Sequence, residues 1–170
     1  MSKLGVFFTL TGYQLTWFAC AFSENKLSQP AGGVYFGVIF LFLYLYFCKN
    51  KIRFLKIAFL ISIPGYLFDS LMVYFSIYKF NTSFVIGTLP IWMPILWLSF
   101  STLFDEILVF FQKIKLIGIC LSGLLGPLTY YLAETLNVLS INNIILFVIL
   151  MVVYWCLLMI FYLNYILNRN

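Results

Sequence analysis

The chain has 170 residues, 64% of them hydrophobic and only 9% charged, with a mean hydropathy of +1.06. Soluble domains carry about 25% charged residues, so this composition excludes a water-soluble globule and reads as an integral membrane protein. The net charge of +5 is read by position, as the loop bias of a membrane protein rather than as a nucleic-acid footprint.

Histidine is absent, and Cys20, Cys48, Cys120 and Cys156 form no C-x-x-C pair. That excludes His-ligated haem, Ser–His and Cys–His nucleophile pairs and most zinc chemistry, and it argues against a dithiol oxidoreductase. Neither a metal nor a cofactor is expected.

The first predicted helix covers residues 4–22. Ala19-Cys20-Ala21 imitates a signal-peptidase site, yet Thr11, Gln14, Thr16 and Trp17 make a poor signal core, so the helix is expected to be retained. Gly5, Thr9, Gly12, Thr16 and Ala19 recur at steps of four and three, a seam of small residues that lets helix backbones approach closely in lipid. Gln14 lies on the opposite side, flanked by Thr11 and Trp17, and is expected to bond a neighbouring helix or a ligand.

A polar loop over residues 23–30 leads to helix 2, residues 31–48, which opens with Gly33-x-x-x-Gly37 and continues as an apolar, lipid-facing body. The basic cluster Lys49, Lys51, Arg53 and Lys56 reads as an inside loop compatible with anionic headgroups. Helix 3, residues 54–77, holds Pro64-Gly65, where a kink is predicted. Ser62, Gly65, Asp69, Met72 and Ser76 share one stripe of it. A lone carboxylate such as Asp69 among apolar residues must be partnered, neutralised or wet.

Residues 78–88 form a short outer connection, and helix 4 is expected over residues 89–111. Pro90 suits its first turn, Thr88 its cap and Trp92 the headgroup level, while Pro94 would bend the opening turns. Asp105 and Glu106 either reach the inner interface near Lys113 and Lys115 or lie buried. Helix 5, residues 116–133, carries Gly118, Ser122 and Gly126 four apart, and Gly126-Pro127 is expected to interrupt it. Tyr130 stands one turn before Glu134, within reach of a hydrogen bond. Helix 6, residues 143–167, reads as a peripheral anchor.

Six spans with both termini inside put Lys3, Lys49, Lys51, Arg53, Lys56, Lys113, Lys115 and Arg169 on the inner side, against Lys26 and Lys79 outside. The expected architecture is therefore all-α: one polytopic membrane helix bundle over residues 1–170, N-in/C-in, with helices 3 and 5 interrupted. No internal repeat stands out, because Pro64-Gly65 and Gly126-Pro127 do not occupy corresponding positions in two halves of three helices.

Four ordered motifs carry a resemblance: Gln14-x-x-Trp17-Phe18-x-Cys20, Gly65-x-x-x-Asp69-Ser70, Pro90-x-Trp92-Met93-x-x-Leu96-Trp97-x-x-Phe100, and Gly123-x-x-Gly126-Pro127-x-x-Tyr130. Over residues 11–131 the chain resembles an uncharacterised bacterial inner-membrane family, domain of unknown function 2878. The resemblance implies a small polytopic protein of Gram-negative bacteria without an assigned activity. By association with genes resembling cyclopropane-fatty-acid synthases, it also implies a tie to lipid metabolism. The chain departs from the family pattern in helix 1, where Thr9 and Thr11 stand in the region of an asparagine, and at Asp105-Glu106.

Three functions fit these residues. In the first, Gln14, Trp17, Trp92, Trp97 and Tyr130 line an interior that binds a hydrophobic small molecule such as a lipid or lipid precursor. Asp69 is then the candidate proton donor or acceptor, and Asp105 a further lining residue. In the second, the chain is a small transporter or substrate-capture subunit. In the third, it is a non-catalytic assembly partner for another membrane protein, its polar residues holding helices together. No nucleophile constellation supports an enzyme outright.

Overall fold

The computed structural model describes residues 3–25, 31–82 and 84–166. Lys26, Leu167 and Arg169 lie outside the described residues, as does the side chain of Lys3. Among the described residues six α-helices run in order: α1 (Lys3–Asn25), α2 (Ala31–Phe47), α3 (Lys51–Tyr74), α4 (Met93–Glu106), α5 (Lys115–Thr135) and α6 (Ile144–Phe161). Among the same residues four short strands accompany them, which the all-α expectation missed: β1 (Tyr78–Phe80), β2 (Val85–Ile86), β3 (Leu89–Pro90) and β4 (Leu139–Ile141).

Among the described residues three segments are long and apolar enough to cross a membrane: Lys51–Tyr74, Lys115–Thr135 and Ile144–Ile166; Ala31–Phe47 is apolar but shorter. Large apolar side chains such as Phe7, Phe42, Phe59, Leu124 and Ile145 point outward. Hydrocarbon tolerates such a surface and water does not.

The small-residue seam of α1 does what its spacing predicts. α1 packs on α2 and α4, and Thr9 and Thr16 are fully buried, their hydroxyls turned back to the Gly5 and Gly12 carbonyls at 2.9 and 2.8 Å. A Cβ on Gly12 would sit 2.0 Å from the Phe40 ring, and one on Gly33 would sit 2.6 Å from the Cys20 backbone. Because backbone cannot swing aside, Gly33→Ala is expected to lower stability by about 2 kcal/mol, read as a lower unfolding midpoint in detergent. An unchanged midpoint would refute the close α1–α2 approach.

α3 and α5 correct the expected interruptions: both run unbroken through Pro64 and Pro127. Proline removes one backbone bond per helix, and buried neighbours can absorb that loss. The glycine beside each proline serves instead as a flat landing for an indole. A Cβ on Gly65 would lie 2.4 Å from the Trp97 ring, and one on Gly126 2.2 Å from the Trp155 ring.

The two helices also end alike. After α3, Ser76 turns left-handed (φ 55°) and Ile77 N–H bonds the Met72 carbonyl. After α5, Asn137 does the same (φ 59°), with Val138 N–H on the Ala133 carbonyl. These are matching C-terminal caps of the Schellman type. Each chain then enters a strand, and β1 pairs antiparallel with β4 through Tyr78–Ile141, Lys79–Ser140 and Phe80–Leu139. Asn142 Nδ2 donates to the Ser76 carbonyl at 2.9 Å, and Asn81 Nδ2 donates to the Asn137 carbonyl at 3.1 Å.

One constant spacing thus carries Gly65 to Gly126, Asp69 to Tyr130, Ser76 to Asn137 and Asn81 to Asn142. A second constant spacing carries Leu89, Met93, Trp97 and Phe104 to Phe147, Met151, Trp155 and Tyr162, all eight buried. The hairpin α3–α4 is therefore repeated as α5–α6 about a pseudo-two-fold axis. Trp97 and Trp155 stack across that axis at 5.8 Å and 19°. The repeat is one of hairpins rather than of three-helix halves.

Helix 4 is shorter than its apolar run suggests. Leu89 and Pro90 belong to a β2–β3 hairpin that turns at Gly87 (φ 68°). Pro94, not Pro90, occupies the first turn, and Trp92, not Thr88, precedes it as the cap residue. Past Glu106 the chain tightens into a 3-10 segment, Leu108–Lys113. α6 is no peripheral anchor: Met151, Trp155, Leu158 and Tyr162 are buried, and Tyr162 donates to the Phe104 carbonyl.

Candidate functional site

Asp69 sits on the buried face of α3 with Ser62, Gly65 and Met72, as the stripe predicts, while Ser76 leaves the stripe to end the helix. It is wholly buried, and three neutral donors converge on it. Tyr78 and Tyr130 hydroxyls donate to Oδ1 at 2.5 and 2.7 Å, and the Trp97 indole N–H donates to Oδ2 at 2.7 Å. Among the described residues, no lysine or arginine pairs with it. Charge-assisted hydrogen bonds of this kind offset the removal of a carboxylate from water. Burial first, and then the Asp69 charge, hold the Tyr78 hydroxyl well above its ordinary range, so it remains a donor.

Tyr130 and Trp97 also form part of the wall of a cavity of about 290 Å³ between α1, α4, α5 and α6. Gln14, Trp17 and Trp92, predicted as site residues, line it too. Trp92 is buried against Phe80 at 5.6 Å rather than set in an exposed belt. The structure thus brings five predicted residues to one cavity. Asp69 is not among the lining residues; it stands behind Tyr130 and Trp97 and fixes them. It is a positioning residue in this geometry, with both oxygens engaged by the protein.

The walls are mostly aliphatic and aromatic, and some polar groups on them have nothing to bond. Gln14 makes no hydrogen bond among the described residues, nor does the hydroxyl of Tyr13. Trp155, 8% exposed, has a buried indole N–H without an acceptor. Tyr13 and Trp155 were missed by sequence reasoning. The single tryptophan of helix 6, set among aliphatic residues, phenylalanines and tyrosines, was the available signal for Trp155, and nothing marked Tyr13 among twelve tyrosines.

Asp105 belongs elsewhere. It is buried at the opposite end from the β1–β4 pair, where Tyr44 donates to Oδ2 at 2.8 Å and Arg53 Nε lies 3.4 Å from Oδ1, close in charge but off the hydrogen-bond line. Of the two expectations for Asp105 the buried one describes it, beside Arg53 of the basic cluster and away from the cavity. Tyr44 shows that helix 2 is not wholly lipid-facing. Glu106 and Lys49 join Arg53 around a separate cleft of about 990 Å³. Glu134 does not bond Tyr130; it accepts the Ile141 N–H at 2.8 Å and pins β4.

A helical membrane-type bundle with a mostly apolar cavity open on one side, backed by a neutral-donor carboxylate cluster, is the class these features define. The family model described as Protein of unknown function (DUF2878) matches residues 6–161, and the chain belongs to that family. The match runs through α6, beyond the region that the motifs alone cover. No curated protein and no solved structure matches the chain.

Proposed function

We propose that the chain is a six-span, N-in/C-in protein of the bacterial inner membrane that binds a hydrophobic metabolite, such as a lipid or lipid precursor, in the cavity between α1, α4, α5 and α6. The observation that carries this reading is an apolar cavity whose walls include an unbonded amide, Gln14, and an unbonded hydroxyl, Tyr13. Binding sites pair apolar walls with a few orienting polar groups in this way. Both oxygens of Asp69 are occupied by protein donors, which favours binding over proton exchange with the ligand.

The orientation is supported by charge. Arg53 against Asp105, and Lys115 against Asn164 at 3.1 Å, gather the α2–α3 turn, the end of α4, the start of α5 and the end of α6 at one pole. Lys49, Lys51, Arg53, Lys56, Lys113 and Lys115 cluster there, and Lys79 lies in β1 at the other pole, so the basic pole is the cytoplasmic one.

Full-length protein extracted with its native lipid and analysed by mass spectrometry tests the reading. One apolar species is expected to be enriched over bulk lipid in the natural protein and lost in Leu125→Trp, which fills the cavity. Identical profiles for the two proteins would sink it.

A further inference from the structure

We propose that the cavity is shaped for a flat, conjugated ring bearing a hydrogen-bond acceptor, of the kind presented by a membrane-soluble quinone. This rests on the binding reading above and adds the chemical class of the ligand.

The repeated hairpin sets the shape of the cavity. On one side of the pseudo-two-fold axis, the groove between α3 and α6 is filled by Phe68 and Tyr154, whose rings stack face to face at 3.8 Å and 6°. The spacing that carries Asp69 to Tyr130 carries Phe68 to Thr129. The spacing that carries Trp97 to Trp155 carries Leu96 to Tyr154. Thr129 and Leu96 both line the cavity. The cavity is thus the counterpart of a groove that elsewhere holds two stacked rings, with smaller side chains where those rings would stand. A flat ring replaces them in shape and in stacking surface, against walls that include Trp17, Trp97, Phe100 and Trp155.

The acceptor follows from a second break in the repeat. Trp97 donates its indole N–H to Asp69. Trp155 is the equivalent tryptophan, but the equivalent of its acceptor is Tyr130, which spends its hydroxyl proton on Asp69. The Trp155 N–H is left buried without a partner. Indole is a donor only, and a buried donor without a partner is expensive, so a ligand whose entry turns this edge of Trp155 into the cavity completes it best with an oxygen or nitrogen lone pair. A ring carbonyl meets both requirements; a saturated acyl chain meets neither.

The test titrates the full-length protein in detergent with a methylated naphthoquinone and, separately, with methyl laurate, following heat. The naphthoquinone is expected to bind at least about tenfold more tightly than the ester, and Trp155→Phe to weaken it by about tenfold, the equivalent of one buried hydrogen bond, without moving the ester. Leu96→Tyr with Thr129→Phe rebuilds the stack of the other groove. It is expected to abolish naphthoquinone binding while keeping the unfolding midpoint at or above that of the natural protein.

Equal affinity for the two probes, with both lost in the double variant, would overturn the ring and leave an apolar binding cavity. Naphthoquinone binding that survives the double variant would overturn the site itself. A ring-selective site indifferent to Trp155→Phe would overturn the acceptor. If neither probe binds the natural protein, the ring assignment fails, and the co-purification experiment decides separately whether the cavity binds anything.

Discussion

Asp69→Ala is expected to destabilise the protein by about 4 kcal/mol, since three buried donors lose their acceptor at once and each orphaned donor costs about 1–3 kcal/mol before relaxation. Tyr78, Trp97 and Tyr130 come from β1, α4 and α5, so the loss is felt across both hairpins. Asp69→Asn keeps the volume but turns an amide NH2 toward donors, and about 2 kcal/mol is expected. Tyr130→Phe removes one donor and leaves the carboxylate two, for about 1 kcal/mol. Equilibrium unfolding in mixed micelles ranks the three. An Asp69→Asn protein as stable as the natural one, yet unable to handle its ligand, would return Asp69 to the role of a proton donor.

Gly65→Ala and Gly126→Ala are expected to cost about 3 kcal/mol each. In both, the new methyl meets an indole ring inside 3 Å, at 2.4 Å for Trp97 and 2.2 Å for Trp155. The indoles cannot retreat, because they stack on each other, and Trp97 is also tied to Asp69. The informative result is the similarity of the two losses. A loss at Gly126 without one at Gly65 would mean that the two hairpins are not energetic equivalents.

Much of this was readable from residue types at helical spacing. The middle of the helix 1 seam, Thr9, Gly12 and Thr16, and the stripe from Ser62 to Met72 are buried, and five of the predicted site residues share one cavity. The proline positions misled, because a proline signals a missing N–H and not the partner that makes its absence tolerable; here the adjacent glycines receive indoles. Pro90 misled in another way: its apolar neighbours look like helix, while Gly87 closes a two-stranded turn just before it.

The repeat was hidden because its two copies share few identical residues. It is carried by Gly65 and Gly126, Met93 and Met151, Trp97 and Trp155, and by Asn81 and Asn142, whose common role is to bond a left-handed cap across the strands. Asp105 could be placed only once Tyr44 and Arg53 were seen to converge on it from α2 and α3.

The donors around Asp69 have a consequence for biosynthesis. Tyr78 and Trp97 are made soon after Asp69, within the same hairpin, whereas Tyr130 arrives only with the next one. β4, which closes the sheet with β1, follows it. A nascent chain halted between α4 and α5 therefore holds a carboxylate in the bilayer with one of its three bonds missing and one strand edge unpaired. Completion of the second hairpin satisfies both at once, so the cluster ties the stability of the early helices to synthesis of the late ones.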